Sequence, residues 1–260
     1  MKKNDFKGRE VRKVIPLKVK TLVVECPKCG RITESALIKS NKLICPRCGH
    51  PIGDPKTSWK EIEVDAIQCD KCGEPVTCLP SNYALNTPFT ALCCPRCNDS
   101  PDPHCFMAHI VAIHYKGYWR YPQDFFKKDK KNGLLPVKSE RDRITLHLLV
   151  DLAKIERYWF LYPRKGMSAK ILWINGEAVG YYLYNKRVKF KDGFHPTINQ
   201  IFVRKEHRRK GYATEMIKDL LKQFPDQKIG IESPEPALIA LLNKLGLTKE
   251  HSRLFFYRDL

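Results

Sequence analysis

Eight of the eleven cysteines fall into four Cys-x-x-Cys pairs, and this spacing constrains the first hundred residues more than any other feature. Such a pair puts two thiolates on one side of a tight turn, as a tetrahedral metal site requires. Cys26, Cys29, Cys45 and Cys48 form one set with a 15-residue gap between its pairs. Cys69, Cys72, Cys94 and Cys97 form a second with a 21-residue gap. Each first pair follows a strand-like segment, 22–25 and 62–67, and is itself followed by a glycine, Gly30 or Gly73. The chain therefore carries a weak internal repeat. Complete four-cysteine sets leave no open coordination position, so two structural zinc ions are expected rather than a catalytic one. Cys93, beside Cys94, leaves the register of the second set open. Cys78, Cys93 and Cys105 with His104 and His109 are candidates for a third site, against the plainer reading of buried thiols and surface histidines.

The first residues lead into no apolar signal core, and no apolar run approaches the ~20 residues of a membrane helix. A cytoplasmic chain without a membrane span is expected. In such a reducing compartment the cysteines are metal ligands or thiols rather than a disulfide framework. With 43% hydrophobic residues the chain has enough apolar material for a packed core, which argues against a disordered tail.

The 260 residues carry a formal net charge of +19, unevenly spread. Residues 1–110 account for +5 and residues 111–260 for +14. Two four-thiolate zinc sites would bring the first part close to neutral, so the pull on anionic partners belongs to the second. Nucleic acid, an anionic cofactor and an acidic protein all fit that charge.

Residues 1–20 are basic and weakly patterned, and read as a flexible lead-in. A zinc-ribbon-like module is expected over 21–57 and another over 60–110. Residues 111–138 form a basic connector in which Tyr115, Tyr118, Trp119, Tyr121, Phe125 and Phe126 alternate with lysines and arginines. These aromatics are either core or a stacking surface for single-stranded nucleic acid. Ser139 then reads as the cap of a helix with an apolar face from Ile144 to Ile155, Asp142 lying near its third position. Strands follow at 171–174 and 178–184, joined by an Asn175-Gly176 turn, and at 197–203. A helix over 211–224, a strand over 228–232, a helix over 236–245 ended by Gly246 and a strand over 254–257 complete the order.

The informative stretch is the passage from the 197–203 strand through Arg204-Lys205-Glu206-His207-Arg208-Arg209-Lys210 into Gly211-Tyr212-Ala213-Thr214. A strand enters a basic loop, and small residues open a helix. The free amides and positive dipole end of that helix suit a pyrophosphate. No Gly-Lys-Ser/Thr follows, so it is not a P-loop, and the Gly-x-Gly-x-x-Gly pattern is absent. A nucleic-acid footprint is the other reading of the same basic loop.

Arg208-Arg209-Lys210-Gly211-Tyr212-Ala213 resembles the Arg/Gln-x-x-Gly-x-Gly/Ala motif of the GNAT superfamily of acyl-CoA N-acyltransferases. Residues 237–247, Ala-Leu-Ile-Ala-Leu-Leu-Asn-Lys-Leu-Gly-Leu, resemble that family's second signature helix, and the element order agrees. The resemblance implies an α+β fold: a mixed central sheet flanked by helices over 139–260, preceded here by the two small zinc-ribbon-like β modules. It implies acetyl-CoA held in a splayed gap between the strands near 197–203 and 228–232. The pyrophosphate would meet Arg208, Arg209, Lys210, Gly211, Tyr212 and Ala213, with Thr214 as a hydroxyl donor. The backbone of Phe202 and Val203 would bond the pantetheine arm. Transfer would be direct, from thioester to a neutral amine.

The chain departs from the family at the acid. Leu242 stands where many members carry a tyrosine, with Tyr257, Tyr212 and Ser233 as substitutes. Glu232 and His195 are the candidate bases, and Gln200 sits near a position where some relatives carry Glu. The expected function is acetyl-CoA-dependent N-acetylation of an amine on a macromolecule, tRNA or DNA or protein, positioned by the zinc modules. The alternative is a non-catalytic nucleic-acid-binding protein with a degenerate GNAT domain.

Overall fold

The computed structural model describes residues 12–26, 28–29, 32–34, 43–44, 51–52, 57–78, 89–97, 109–128, 131–153, 167–247 and 254–257. Contacts divide the chain into two units, Met1–Pro122 and Gln123–Leu260.

In the first unit, strand β1 (Ile15–Glu25) runs into the Cys26 turn and returns as β2 (Ile32–Glu34). Short strands β3 (Leu43–Ile44) and β4 (Pro51–Ile52) pair with each other. Strand β5 (Thr57–Gln68) runs into the Cys69 turn and returns as β6 (Pro75–Thr77). The second arrangement repeats the first 43 positions later: Cys26 maps onto Cys69, and Ile32–Glu34 onto Pro75–Thr77. The two copies share one antiparallel sheet of order β2-β1-β5-β6. In its register Val19 pairs with Ile62, which is also its repeat equivalent. The sheet thus has an approximate two-fold axis through that pair, and the two Cys-x-x-Cys turns lie at opposite ends of the β1–β5 ribbon.

Residues 15–20, expected as flexible lead-in, are strand. Their alternation of Ile15, Leu17 and Val19 with Pro16, Lys18 and Lys20 opposes Ala66, Val64 and Ile62, and Asp65, Glu63 and Glu61, so like sits opposite like on one face and lysine opposite acid on the other. Arg12 is also fixed: its guanidinium donates to the Gln68 carbonyl at 2.6 Å and lies 4.2 Å from the Tyr121 ring centroid.

Strands β7 (Ala91–Cys93), β8 (Ile110–Tyr115) and β9 (Tyr118–Arg120) form a separate antiparallel sheet. The basic connector of 111–138 is therefore divided. Its start is a hairpin of the first unit, turned at Lys116 and Gly117, both with positive φ. Its remainder belongs to the second unit. Tyr115 and Phe125 are core, whereas Tyr118 is exposed. Ile67, Val76, Leu92, Val111 and Ala112 pack around Cys69, Cys94 and Cys97.

A 3-10 turn, Pro122–Phe126, opens at the boundary of the two units, and in the second it precedes strand β10 (Gly133–Pro136) and helix α1 (Glu140–Leu152). Ser139 caps α1 in a reciprocal box with Asp142, as the sequence indicated. Arg141 and Thr145 of α1 bond the carbonyls of Asp124 and Phe125 at 2.9 and 2.8 Å, which pins the 3-10 turn. Strands β11 (Met167–Ile174), β12 (Glu177–Phe190) and β13 (Gly193–Val203) extend the sheet antiparallel. Helix α2 (Tyr212–Gln223), strand β14 (Ile229–Glu232), helix α3 (Pro236–Lys244) and strand β15 (Leu254–Tyr257) add two parallel steps. The sheet order is β10-β11-β12-β13-β14-β15.

The two faces have separate cores. Met216, Ile217 and Leu220 of α2 and Leu242 of α3 pack on Tyr182, Tyr184, Ile198, Ile229 and Ile231. Leu146 and Leu149 of α1 pack on Ile171, Trp173, Tyr181 and Leu183. Gly180 lets three elements meet closely. A Cβ there would lie 2.4 Å from the Phe202 carbonyl oxygen and 2.9 Å from the Met216 terminal carbon. Gly180→Ala is expected to cost about 1–3 kcal/mol through forced movement of β13. Chemical denaturation would measure it, and an unchanged midpoint would mean that β13 yields freely.

Candidate functional site

The site begins where β13 and β14 part. β13 pairs with β12 as far as Val203, but with β14 only at Thr197 and Ile198. Two backbone features open this gap. Leu183 opposes Gln200 while Tyr184 opposes Ile198, so Asn199 is an extra residue that bulges β13. At the end of β14, Ser233 takes a left-handed φ of +36° and turns the chain aside. The Arg204 amide bonds the Val179 carbonyl across β12 at 2.9 Å. Alternation then directs the backbone of Phe202 toward β12 and that of Ile201 and Val203 toward the gap. The Val203 carbonyl accepts from Arg208 Nε at 3.0 Å.

The loop after β13 is held by Arg204. Its guanidinium meets Glu177 and Glu206 at 2.8 and 2.5 Å and the Ala178 carbonyl at 3.1 Å. Arg208, Arg209, Lys210 and Gly211 are exposed beyond it. Arg209 and Gly211 have φ of +65° and +83°, whereas Lys210 between them does not have a positive φ. Such alternation curls successive amides around a concavity that suits an anion. Gly211 is the N-cap of α2 and provides no side-chain cap, so the first-turn amides of Tyr212, Ala213 and Thr214 stay open to a ligand.

Polar groups gather at the bulge on the α1 face of the sheet. Asn185 donates to Asn199 at 3.0 Å, and Asn199 donates to the Glu232 carboxylate at 2.5 Å. Glu232 is only 8% exposed. Register puts Thr197 opposite Asn185, and Gln200 opposite Leu183, on that same face. Among the described residues Thr197 Oγ1 is buried with no hydrogen-bond partner, and the Gln200 amide and Tyr181 hydroxyl are buried beside each other with no further partner. The Gln200 amide lies beside the Tyr181 phenol, which burial keeps protonated. These groups offer neutral donors and acceptors next to one buried carboxylate.

The three catalytic candidates are differently placed. Glu232 meets the bulge directly. Tyr257 stands opposite Glu232 in the β14–β15 register; its side chain lies outside the described residues. His195 is bound to Asp192 at 3.0 Å and stacked against Phe190 and Phe255 at 5.8 and 5.5 Å between centroids. It lies four positions before Asn199, roughly 13 Å along the strand, on the other side of the Thr197–Ile198 pairing from the gap, so it is not brought to the bulge. Leu242 is fully buried in the α2–α3 core. Asn199, Asn185, Tyr181 and Thr197 were not singled out from sequence. The adjacent polar pair Asn199-Gln200 inside an otherwise alternating strand was the signal for the bulge.

In the first unit, the sulfurs of Cys69, Cys72, Cys94 and Cys97 lie within 4.8 Å of one another. Cys69 and Cys97 are 3.9 Å apart, and Cys72 and Cys94 3.6 Å. Zinc–sulfur bonds of 2.3 Å in a tetrahedron require about 3.8 Å between sulfurs, so this set fits zinc. Cys94, not Cys93, is the fourth member of this cluster. The Cys69 turn is closed by the Gly73 amide on the Cys69 carbonyl at 2.9 Å, with Gly73 at φ +78°. The Glu74 amide lowers the Cys72 thiol to about 7. Burial, reinforced by neighbouring thiols, pushes Cys97 up to about 12. A bound divalent cation would remove that conflict. Cys45 and Cys48, which would complete the other set with Cys26 and Cys29, lie outside the described residues, as do His104 and Cys105. His109 sits 3.0 Å from Asp70 and beside Cys69, and Cys78 is held up at about 11 by burial and Asp65.

Residues 138–247 match the model of the acetyltransferase (GNAT) family. Protein FAM169B of Mus musculus is 31% identical over 162 residues, 54% of this chain and 47% of that protein. Protein FAM169BP of Homo sapiens is 30% identical over 120 residues, 40% of this chain and 62% of that protein. The chain therefore spans about half to three-fifths of the length of these relatives. Among solved structures, a ribosomal-protein-alanine N-acetyltransferase from Brucella melitensis biovar Abortus 2308 is similar at 18% identity. It matches over 46% of this chain and 93% of its own, with a TM-score of 0.35. The aminoglycoside 6'-N-acetyltransferase AAC(6')-IG from Acinetobacter haemolyticus is similar at 18% identity over 49% and 99%, with a TM-score of 0.33. With its mixed sheet, parted β13 and β14 and signature loop, the segment 138–247 is a domain of the GNAT acetyltransferase family.

Proposed function

We propose that this protein transfers an acetyl group directly from acetyl-CoA to an amine carried by a macromolecule. The observation that carries the reading is the gap between β13 and β14, which runs from the anion-binding turn at Arg209–Gly211 to the bulge at Asn199. Four strand residues separate its ends, roughly 13 Å, a span suited to a pantetheine arm. In this reading the amides around Gly211 hold the pyrophosphate. The gap-facing backbone of Ile201 and Val203 lines the arm, and the thioester ends at the bulge.

The attacking amine must be neutral. Glu232, fixed by Asn199, is the proposed proton acceptor, directly or through one water. Gln200 and Tyr181 offer hydrogen bonds to the acceptor or to that water. Leu242 cannot protonate the departing thiolate. Solvent supplies that proton; the Tyr181 phenol, which burial keeps protonated, and the Gln200 amide offer hydrogen bonds only.

The first unit carries one four-cysteine set that fits structural zinc and, by repeat, is proposed to carry a second through Cys26, Cys29, Cys45 and Cys48. Its proposed role is to present the acceptor.

Release of free CoA thiol in the presence of amine acceptors tests the reading. Glu232→Gln is expected to lower the rate about 100-fold with acetyl-CoA affinity kept. A rate within two-fold of the wild type would remove Glu232 from the chemistry. Tight acetyl-CoA binding with no release for any acceptor would favour the non-catalytic alternative, which the apolar Leu242 position motivates.

A further inference from the structure

Residues 186–196 form a ribbon that continues beyond the rest of the sheet. Among the described residues, the last β11–β12 pair is Met167 with Asn185, and the first β13–β14 pair is at Thr197. Between these limits, among the described residues, β12 and β13 pair with each other alone, from Val188↔His195 to Phe190↔Gly193. An extra residue near Lys186 and Arg187 kinks the ribbon at its root.

The ribbon is two-faced. Val188, Phe190 and His195 are half-buried on one face, where Phe190 and His195 meet Phe255 of β15 edge to face. Arg187, Lys189 and Phe194 occupy the other face and are exposed, Phe194 by 49%. The Arg187 guanidinium lies 4.1 Å from the Phe194 ring centroid. Lys186 and Lys191 are exposed as well. The ribbon's one acid, Asp192, is engaged by His195 at 3.0 Å and by Lys228 at 3.5 Å, which holds its carboxyl below the usual range. Four cations and a guanidinium-stacked aromatic are thus presented with little opposing charge.

We propose that this ribbon docks single-stranded nucleic acid, with the cations on successive phosphates and a base stacked at the Arg187–Phe194 pair. Acidic protein would be met by the lysines and arginine alone and would gain nothing from an exposed aromatic. Flexible phosphodiester chains use both features together. The location gives the dock a purpose. The ribbon stands at the Gly193 end of β13, the end opposite the Gly211 loop. Under the acyl-transfer reading, a thioester at Asn199 points toward it. A strand held on the ribbon would present a base amine or ribose-linked amine to the Glu232 end of the gap. This deepens the proposed function and rests on it for what happens to the bound strand, but binding itself is measured without turnover.

The test is fluorescence anisotropy of a labelled 20-nucleotide single-stranded RNA of mixed sequence with the full chain, from low to moderate salt. Binding should weaken steeply with salt. The triple variant Lys186→Glu, Lys189→Glu and Lys191→Glu should lose at least about 10-fold in affinity. It should also flatten the log–log salt slope by about 2, at roughly 0.7 per phosphate contact. Phe194→Ala should cost about 10-fold and leave the slope unchanged. Acetyl-CoA affinity should not change in either variant, which reports intact folding. Wild-type-like binding by the triple variant would place nucleic acid elsewhere and overturn the proposal. So would polyglutamate binding as tightly as RNA with no loss in Phe194→Ala. A protein that binds RNA in this way yet never releases CoA would keep the dock and refute the acyl transfer.

Discussion

Gly211→Asp is expected to weaken acetyl-CoA binding by about 100-fold or more, and Gly211→Asn by only about 10-fold. Both residues tolerate the left-handed φ of +83° that Gly211 adopts, and both are good helix N-caps, so the α2 start should survive in either. They differ in charge. A carboxylate at the mouth of the Arg209–Gly211 turn would stand where a pyrophosphate is expected. Two like charges about 4 Å apart at a protein surface repel by up to about 4 kcal/mol before salt screening. Asparagine adds bulk alone; among the described residues nothing beyond the immediate chain neighbours lies within 4 Å of a Cβ at this position, so its effect falls on the ligand rather than on packing. Titration calorimetry of the two variants separates the terms. Equal affinities would move the pyrophosphate away from this loop.

Cys94→Ser is expected to strip metal from the Cys69 set and to unfold the region around it. The described core there consists of Ile67, Val76, Leu92, Val111 and Ala112 wrapped around the sulfurs themselves. Three thiols left behind, two of them buried, would be close together without a balancing cation. Structural zinc sites contribute on the order of 10 kcal/mol to folding in small modules, more than an apolar cluster of this size supplies. Metal analysis should read one equivalent less than in the wild type, and protease should cut within 57–120. The affinity for acetyl-CoA should persist, since its proposed ligands all lie in the second unit. Cys93→Ser is the matched control and should keep its metal. The reverse pattern would mean that the ligand register is wrong.

The sequence revealed elements better than their joints. The Asn175-Gly176 turn is a hairpin with both residues at positive φ, as that dipeptide requires. Ser139 caps α1 because the cap and its Asp142 partner are local to four residues. What escaped was set by distant partners. Strand β1 begins at Ile15 because β5 lies beside it, and no local feature of a lysine-rich segment announces a partner 40 or more positions away. The exposed lysines of β12 beyond Asn185 masked its continuation as a ribbon. Lys116-Gly117 between aromatics marked the β8–β9 hairpin, but the surrounding basic residues suggested a connector instead.

The site was legible to the same extent. The basic loop and Gly211 could be read because helix starts and small residues are local signals. The bulge at Asn199 could not be placed, because a polar pair inside a strand does not say which residue is extra; pairing with β12 decides that. Without the bulge, Gln200 would face α2 rather than the polar cluster with Asn199 and Glu232. Phe202 and Val203 were equivalent in sequence, and only the ladder to β12 turns one toward the gap and the other away.

The central claim is transfer of an acetyl group to a macromolecular amine. Its most direct measurement is radiolabelled acetyl-CoA incubated with the protein and a cell extract, followed by separation of tRNA, DNA and protein fractions. Label that nuclease digestion releases as an N-acetylated nucleoside should accumulate in the nucleic-acid fraction with wild-type protein and fall to background with Gly211→Asp. No label above that background in any fraction, from protein that binds acetyl-CoA normally, would contradict the account.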